Sequence, residues 1–246
     1  MLTEERQQQI LKYLDEQQAV TVTELTELLD ASESTIRRDL NSLHKQGKLV
    51  KVHGGATQKG HTVAAVEYDM TTKATLFQDE KKRIARYAAS LIEANDFVFI
   101  DAGSTTEMMI DFIDTSAEFV TNGIMHARKL ATKGYRVHLL GGEYKLSTEA
   151  IIGMEALQCI QAYHFTKAFM GVNGISITGG YTTPDTRESS IKSEAVKRAY
   201  VAYVLADHSK FNMDSSVTFA NLRDAQIITD EKPAQNYDDY TVIKEV

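Results

Sequence analysis

The hydrophobic positions of the first 45 residues recur every three to four residues, a period that predicts amphipathic helices. The first predicted helix covers residues 3–17. Thr21 and Glu24 have the spacing of a capping box, which predicts a short second helix that begins just after Thr21. Ser32 is the expected cap of a third helix that runs to about residue 44.

The segment 47–55 follows the third predicted helix. It alternates basic and apolar residues and ends in two glycines, which is typical of a short β-hairpin. Three helices followed by such a hairpin predict an α+β winged helix-turn-helix, in which the third helix enters a DNA groove beside the wing.

From residue 78 onward, short apolar strands alternate with helices. The expected helices cover 78–93 and 187–199 and follow Thr105 and Ile124, and the expected strands lie at 97–100, 119–120, 137–140, 168–170, 202–205, 225–228 and 241–243. This alternation predicts an α/β domain with a mainly parallel sheet covered on both faces. Residues 58–77 lack clear periodicity and are expected to be a linker, so the predicted domains are 1–57 and 78–246.

The distribution of charge along the chain supports DNA binding by the third helix and the wing. The 246 residues suit a small module joined to a larger domain, but the net charge of -7 argues against a nucleic-acid binder. Between Ser34 and Lys59, however, six basic residues accompany a single acid, Asp39. A basic surface confined to the third helix and the wing can bind phosphates while the rest of the chain stays acidic.

Polar side chains occupy the side of the third helix opposite its apolar stripe. Arg and Asn can present two hydrogen-bonding groups in one plane to a base edge, whereas Ser, Thr and Lys suit phosphate oxygens. An ordinary solvated helix face has the same composition, and the wing beside it favours DNA binding. The predicted DNA-binding residues are Ser34, Thr35, Arg37, Arg38, Asn41, Lys45, Lys48, Lys51 and His53.

The most informative loop of the second domain covers residues 101–106 and reads DAGSTT. It leaves an apolar strand and opens a helix, and its glycine, three hydroxyls and free helix amides suit an anion. A strand-to-helix turn with a Ser or Thr cap has the same composition, so both interpretations stay open. The Gly-Lys-Ser/Thr ending of a Walker-type loop is absent.

Other polar loops follow the neighbouring strands and are expected at the same edge of the sheet, where parallel sheets bind ligands. Glu188 and Lys192 project inward from their helix, either as an i, i+4 salt bridge or as a ligand-facing pair, and Lys81 lies on the inward face of its helix. The predicted pocket residues are Lys73, Lys81, Asp101, Gly103, Ser104, Thr105, Thr106, Thr121, Asn122, Gly141, Gly142, Asn173, Glu188, Lys192, Asp207 and Lys210.

Several other kinds of chemistry find no support. No segment resembles a signal peptide or approaches the ~18 apolar residues that span a bilayer, so a cytosolic protein with no membrane partner is expected. The single Cys159 forms no intramolecular disulfide or cysteine-based zinc site. The seven histidines lack metal-ligand spacing, and no nucleophile arrangement is recognisable, so no metal, cofactor or covalent step is predicted.

The chain resembles the DeoR family of bacterial repressors in residues 32–40 (SESTIRRDL) and 52–56 (VHGGA). The second domain resembles that family's effector domain, whose fold is similar to ribose-5-phosphate isomerase and which senses phosphorylated sugars. The resemblance implies that Gly103 to Thr106 hold the phosphate. It implies contacts with the sugar for Asn173, Lys192, Asp207 and Lys210. The runs 183–185 and 205–207 are most similar to repressors of fructose operons.

Two other functions compete with a repressor. A sugar-phosphate isomerase with a DNA-binding arm is one, because Asp, Glu and Lys in one pocket could move protons. Asn173 stands where the related isomerases carry an acid, and an amide cannot act as a general base. A nonspecific architectural DNA binder would not need the large α/β domain. The preferred hypothesis is a non-enzymatic homodimeric or homotetrameric repressor of a sugar-catabolic operon, controlled by a phosphorylated sugar.

Overall fold

The computed structural model describes residues 3–17, 19–46, 48–52, 54–58, 62–63 and 70–246. The chain divides into two compact units, residues 1–62 and 63–246. No helix in the described ranges is long and apolar enough to cross a membrane.

The described residues of the first unit form three helices and a three-stranded sheet. The helices are α1 (Thr3–Gln17), α2 (Val22–Leu29) and α3 (Glu33–Lys45), and the strands are β1 (Ala19–Thr21), β2 (Leu49–Val52) and β3 (Gly55–Gln58). The strands pair antiparallel in the order β1-β3-β2. The winged helix-turn-helix prediction is confirmed. β1 was not predicted, because a three-residue strand has too few positions to show a period.

Local hydrogen bonds start the helices where the sequence predicts. The Glu24 amide donates to Thr21 Oγ1 at 3.2 Å, and the Thr21 amide donates to Glu24 Oε2 at 2.7 Å. Ser32 Oγ accepts from the Thr35 amide at 3.3 Å. The predicted stripe of α3, made by Ile36, Leu40 and Leu43, is fully buried and forms the core of the unit with α1 and α2.

The second unit is built on a seven-stranded parallel sheet. In spatial order its strands are β17 (Ile243–Glu245), β16 (Gln226–Thr229), β13 (Ala199–Leu205), β10 (Phe165–Gly171), β5 (Phe97–Ile100), β6 (Glu118–Thr121) and β7 (Arg136–Leu139). Its helices are α4 (Met70–Thr75), α5 (Gln78–Ser90), α6 (Ser104–Met109), α7 (Ile124–Thr132), α8 (Met154–Ile160) and α9 (Thr186–Arg198). Short 3-10 turns cover Ile110–Phe112, His208–Lys210 and Leu222–Asp224.

Both faces of this sheet are covered. Phe99 and Met170 belong to one buried apolar cluster, whereas Val98 and Phe169, which neighbour them on the same strands, belong to another. Successive strand residues point to opposite faces, so each face packs against its own cluster. The predicted parallel α/β domain is confirmed, and each of the seven predicted strands overlaps a strand of its sheet, although the last, predicted at 241–243, lies at Ile243–Glu245.

Several short strands were not predicted. β8 (Glu143–Lys145) and β9 (Ala150–Ile152) form an antiparallel hairpin, and β11 (Gly174–Ser176), β12 (Gly180–Thr183) and β15 (Val217–Ala220) form an antiparallel sheet. β4 (Thr62–Val63) and β14 (Met213–Asp214) are two residues each. Helices α4 and α8 were also missed.

The order of the strands locates the ligand-binding edge. The chain begins the sheet at β5, adds β6 and β7 on one side, and then adds β10, β13, β16 and β17 on the other. The carboxyl ends of β5 and β10 therefore lie side by side at the point where the strand order reverses. Ligands of open parallel sheets bind at such a switch point.

Candidate functional site

The outer face of α3 and the adjacent wing form a basic surface. Seven of the predicted DNA-binding residues are exposed and Thr35 is half-buried, while His53 lies outside the described residues. The exposed residues are Ser34, Arg37, Arg38, Asn41, Lys45, Lys48 and Lys51. Arg37 Nη2 pairs with Glu33 Oε1 at 2.5 Å. Surface pairs of this kind are weak, so a phosphate can replace Glu33.

Hydrogen bonds join the wing to α3. Lys51 Nζ donates to Asn41 Oδ1 at 2.6 Å, and the Lys51 amide lies 3.3 Å from His44 Nδ1. The two polar surfaces therefore form one continuous face. The single acid of this region, Asp39, is buried, with Oδ2 at 2.5 Å from Arg6 Nε and Oδ1 at 3.3 Å from Gln7 Nε2. The face is therefore more basic than the sequence count indicates.

In the second unit, a buried ion pair occupies the switch point between β5 and β10. Lys192 Nζ donates to Asp101 Oδ2 and, at 3.0 Å, to the Gly171 carbonyl. Asp101 Oδ2 also accepts from the Gly171 amide at 3.0 Å. Burial raises the pKa of Asp101, although Lys192 and the Gly171 amide oppose that rise. The pair ties α9 to the ends of two central strands.

Glu188 has its own partners one turn earlier on α9. Its Oε1 accepts from Thr148 Oγ1 at 2.6 Å and from Lys145 Nζ at 3.0 Å, and its Oε2 lies 3.4 Å from Thr183 Oγ1. Burial alone would raise the pKa of Glu188, but the Lys192 charge and the Thr148 hydrogen bond outweigh it and lower the pKa. Glu188 and Lys192 are therefore not paired with each other, and the simple i, i+4 salt bridge is wrong.

A cationic cluster lies beside the first turn of α6. Lys81 Nζ donates to Ser104 Oγ at 3.0 Å and to the carbonyl of Lys73. Lys210 Nζ lies 3.7 Å from Asp207 Oδ2. Burial lowers the pKa of Lys81 to about 8; Asp207 opposes this, whereas Lys210 and Lys73 reinforce it. Lys81 therefore contacts Ser104 directly, and Asp207 and Lys210 lie close enough to Lys81 to act on its charge.

The loop between β5 and α6 uses part of its polar groups internally. Thr106 is fully buried, and its hydroxyl donates to the carbonyls of Asp101 at 2.6 Å and Gly103 at 2.8 Å. Thr121 is likewise fully buried, and its hydroxyl accepts from the Gly123 amide at 3.0 Å. Both threonines therefore shape loops, whereas Gly103 and Ser104 are partly exposed and Thr105 is nearly covered.

Of the remaining predicted pocket residues, the two asparagines contact loops of the site, whereas the two glycines have no described contact with it. Asn122 links two loops, because its Oδ1 accepts from the Ala102 amide at 2.8 Å. Asn173 Oδ1 lies 3.3 Å from Thr183 Oγ1, next to the Glu188 group. Gly141 and Gly142 follow the edge strand β7, and no described contact joins them to this cluster. A Cβ at Gly142 would lie 2.5 Å from the Ile152 carbonyl, so that glycine allows β9 to pack closely.

Sequence reasoning missed four polar residues of this region. Lys145 and Thr148 come from the unpredicted β8–β9 hairpin. His208, in the loop after β13, pairs with Asp230 at 2.7 Å between Nδ1 and Oδ2, and this hydrogen bond raises the pKa of His208. His126 lies under the loop between β5 and α6, with Nε2 at 3.3 Å from the Gly103 nitrogen and 3.2 Å from Thr106 Oγ1.

We expect His126 to make the stability of the protein depend on pH. Burial lowers the pKa of His126 to about 4, so the unfolded chain binds a proton that the folded chain does not. The stabilisation is fully present above about pH 6.5 and is lost as the pH falls toward 4, by roughly 3 kcal/mol. In denaturant unfolding across this pH range, the free energy of unfolding of His126→Gln should not show that loss. His164→Gln, at an exposed position, is the control, and an unchanged pH profile for His126→Gln would contradict the assignment.

Comparisons with known proteins agree over both units. Residues 6–61 match the DeoR-like helix-turn-helix domain, and residues 76–231 match the DeoR C terminal sensor domain. The "Uncharacterized HTH-type transcriptional regulator FruR" of Bacillus subtilis is 45% identical, with 100% of this chain and 99% of that protein covered. The lactose phosphotransferase system repressor of Streptococcus mutans is 33% identical over 94% of this chain and 93% of its own.

Among solved structures, ribose 5-phosphate isomerase A of Methanocaldococcus jannaschii is similar at 15% identity and a TM-score of 0.41, with 55% of this chain and 54% of that chain covered. The two domain matches together span most of the sequence, and the two relatives cover 100% and 94% of it. The chain belongs to the DeoR family of transcriptional regulators.

Proposed function

We propose that the protein represses a sugar-catabolic operon by binding operator DNA through α3 and the β2–β3 wing, and that fructose phosphate bound at the switch point releases it. The observation that carries the proposal is that one loop after β5 holds both Ser104, which accepts a hydrogen bond from Lys81, and Asp101, which pairs with the buried Lys192. Cations at one end and hydrogen-bonding groups at the other suit a molecule with a phosphate and several hydroxyls.

The phosphate end is the first turn of α6. Its hydrogen-bond donors are the Ser104 hydroxyl, the amides of Ser104 and Thr105, and the Lys81 ammonium. The hydrogen bond from Lys81 would be the strongest of these, because a charged donor binds an anion more tightly than a neutral one. The family resemblance assigns Lys210 to the sugar. Its electrostatic coupling to Lys81 supports a phosphate contact as well.

The sugar end includes Asn173, Glu188 and Asp207. Their amide and carboxylate oxygens accept hydrogen bonds from hydroxyls. Specificity for one sugar then depends on which hydroxyls these groups can reach, since an unpaired buried polar group is costly.

Regulation rather than catalysis is the function that these residues support. The carboxylate of Glu188 accepts hydrogen bonds from Thr148 and Lys145, which stabilise it as an anion, and the carboxylate of Asp101 is held in place by Lys192 and the Gly171 amide. A proton-transferring base needs a pKa near the working pH, and the pKa of Glu188 is lowered. Asn173 supplies an amide where a second acid would be needed. We therefore propose a sensor without enzymatic activity.

Two copies of the chain are part of this proposal. Two recognition helices on a palindromic operator need half-sites separated by whole helical turns, roughly 34 Å each. The proposed DNA-binding domain is residues 1–57, the linker 58–77 and the effector domain 78–246. A regulator of this kind acts in the cytoplasm, where the operator is accessible.

A thermal-shift titration tests the function directly, because a ligand that binds only the folded state raises the melting temperature. Fructose 1-phosphate, fructose 6-phosphate and fructose 1,6-bisphosphate are the probes, and unphosphorylated fructose is the control. One phosphorylated form is expected to raise the melting temperature and to weaken operator binding, with no effect of fructose. The proposal would be overturned if only unphosphorylated fructose raised the melting temperature, or if no phosphorylated sugar did.

The Lys81 ammonium is expected to make effector binding depend on pH. With a pKa of about 8 in the free protein, most of its charge is lost by pH 9, so the Kd for the sugar phosphate should rise by up to about tenfold between pH 7 and 9. Lys81→Met should bind weakly at both pH values. Lys82→Met, at an exposed position on the same helix, is the matched control and should retain the wild-type profile.

A further inference from the structure

Large apolar side chains are exposed around the β8–β9 hairpin. Among the described residues, five of the nine exposed large apolar side chains come from this region: Met125, Leu139, Tyr144, Leu146 and Met154. Leu146 is 77% exposed and Met154 63%. Exposed apolar residues that cluster in this way mark interaction surfaces, whereas single ones need no explanation.

The segments that carry these side chains contact one another. Tyr144 lies opposite Ile151 in the hairpin, and the Ile151 amide donates to the Asn122 carbonyl at 2.6 Å, just before α7. A Cβ at Gly153, which precedes α8, would lie 3.8 Å from the Cβ of Glu143. We call these segments, residues 122–128 and 136–155, the hairpin face.

The hairpin face includes one edge of the central sheet. Among the described strands β7 pairs only with β6, so its outer edge has backbone groups without a strand partner. An edge of this kind can add a strand from another chain. Leu139, at the end of β7, is among the exposed apolar residues.

Charge favours a second copy of this chain as the partner. The whole chain carries a net charge of -7, so two copies repel each other over most of their surface. The exposed charged residues of the hairpin face are two basic ones (Arg128 and Arg136) and two acidic ones (Glu143 and Glu155), so its exposed charges balance. A neutral face with mixed charges can meet its own two-fold image without repulsion, with opposite charges opposed.

We propose that the hairpin face is the homotypic interface of this protein. The inference rests on the proposed function only in that a palindromic operator needs two copies. Hydrogen bonds hold the hairpin firmly on α9, because Lys145 Nζ lies 3.1 Å from Asp185 Oδ2 and 3.0 Å from Glu188 Oε1. An interface that is ordered before association loses less entropy on binding.

The same contacts connect the interface to the effector site. A sugar hydroxyl that donates to Glu188 competes with Thr148 and Lys145 for one carboxylate. The hairpin that carries Tyr144 and Leu146 then shifts, so the effector changes the strength of association. A ligand alters an equilibrium only through such a difference between two states.

Sedimentation velocity of the full chain, over a wide range of concentrations and without DNA or effector, tests the interface. The wild type is expected to associate, and Leu146→Glu with Met154→Glu should weaken association at least about 100-fold, since like charges then meet across the two-fold axis. Tyr200→Glu, at a site 92% exposed at the amino end of β13, is the matched control and should associate as the wild type does.

Circular dichroism and the thermal shift with fructose phosphate establish that each variant is folded and binds effector, so these readouts test the proposed function separately. A monomeric wild type, unchanged association of the double variant, or dissociation caused by Tyr200→Glu instead would each overturn the proposed interface.

A second experiment tests the connection between the effector site and the hairpin face. The effector should change the association constant of the wild type and of the control Ser147→Ala several-fold, but not that of Thr148→Val. An equal change in Thr148→Val would overturn the connection.

Discussion

Replacement of Arg38 by alanine is expected to abolish operator selectivity while the second unit stays folded and binds effector. The Arg38 side chain is exposed at the centre of the outer face of α3, and among the described residues no ion pair or hydrogen bond engages it. Its guanidinium can therefore donate two hydrogen bonds to one base. Such a contact is worth about 1–3 kcal/mol, so two copies on a symmetric operator lose roughly 2–6 kcal/mol.

The matched control is Arg37→Ala on the same helix. Arg37 already pairs with Glu33, and its position at the flank of the face suits a phosphate. Its loss should weaken binding to the operator and to a scrambled duplex alike, and should reduce the salt dependence of binding. Fluorescence anisotropy at several salt concentrations separates the two effects. A footprint of Arg38→Ala equal to that of the wild type would show that the face is wrongly assigned.

The central strands could be predicted from the sequence because each is a short run of apolar residues. The residues of β5, FVFI, are apolar throughout, as a strand covered on both faces must be. β12 is buried just as fully, but its sequence is GYTT and has no apolar run. Its Thr182 hydroxyl donates to the Gly174 carbonyl at 3.0 Å and accepts from the Ser215 amide at 2.8 Å. Polar side chains satisfied in this way are buried without a hydrophobic signal.

The candidate site was predicted by position but not by pairing. Loops at the carboxyl ends of parallel strands can be located from the strands alone, and Asp101 was predicted in this way, whereas Lys81 and Lys192 were predicted from the inward faces of their helices. The partners of Lys192 and Glu188 were not, since Asp101 is 91 residues from Lys192 and Thr148 is 40 residues from Glu188. Helical spacing describes only neighbours within a turn, so it could not separate a local salt bridge from two long-range contacts.

A count of charged residues along the sequence is limited in the same way, because it does not show which distant side chains they pair with. Asp39 counts as an acid on α3, yet its carboxylate is buried against Arg6 and Gln7 of α1. His126 is one of seven scattered histidines in the sequence, and only the close approach of α7 to the Gly103 loop gives it a role. In both cases the side chain acts through a partner far away in the chain.

Replacement of Lys192 by methionine is expected to destabilise the second unit by about 3–5 kcal/mol, because it leaves the Asp101 carboxylate buried without its cation. The side chains of Lys192 and Asp101 are 6% and 2% exposed, so water cannot compensate. The double variant Asp101→Asn with Lys192→Met removes both charges and should recover much of the loss. Lys197→Met, at an exposed position on the same helix, should change stability by no more than about 0.5 kcal/mol. Denaturant unfolding at pH 7 measures all three.

The pH dependence of Lys192→Met distinguishes a buried charge from lost packing. Burial raises the pKa of Asp101 and Lys192 opposes the rise, so removal of Lys192 raises that pKa further. A carboxyl whose pKa is higher in the folded state contributes stability that is fully present below its unfolded pKa and is lost as the pH rises through its folded pKa. The deficit of Lys192→Met should therefore be smaller at pH 5 than at pH 7, while the double variant, which has no carboxylate there, should show no such trend. A deficit that is the same at both pH values would mean that lost packing against Phe219, whose ring centre lies 5.6 Å from Lys192 Nζ, outweighs the unpaired charge.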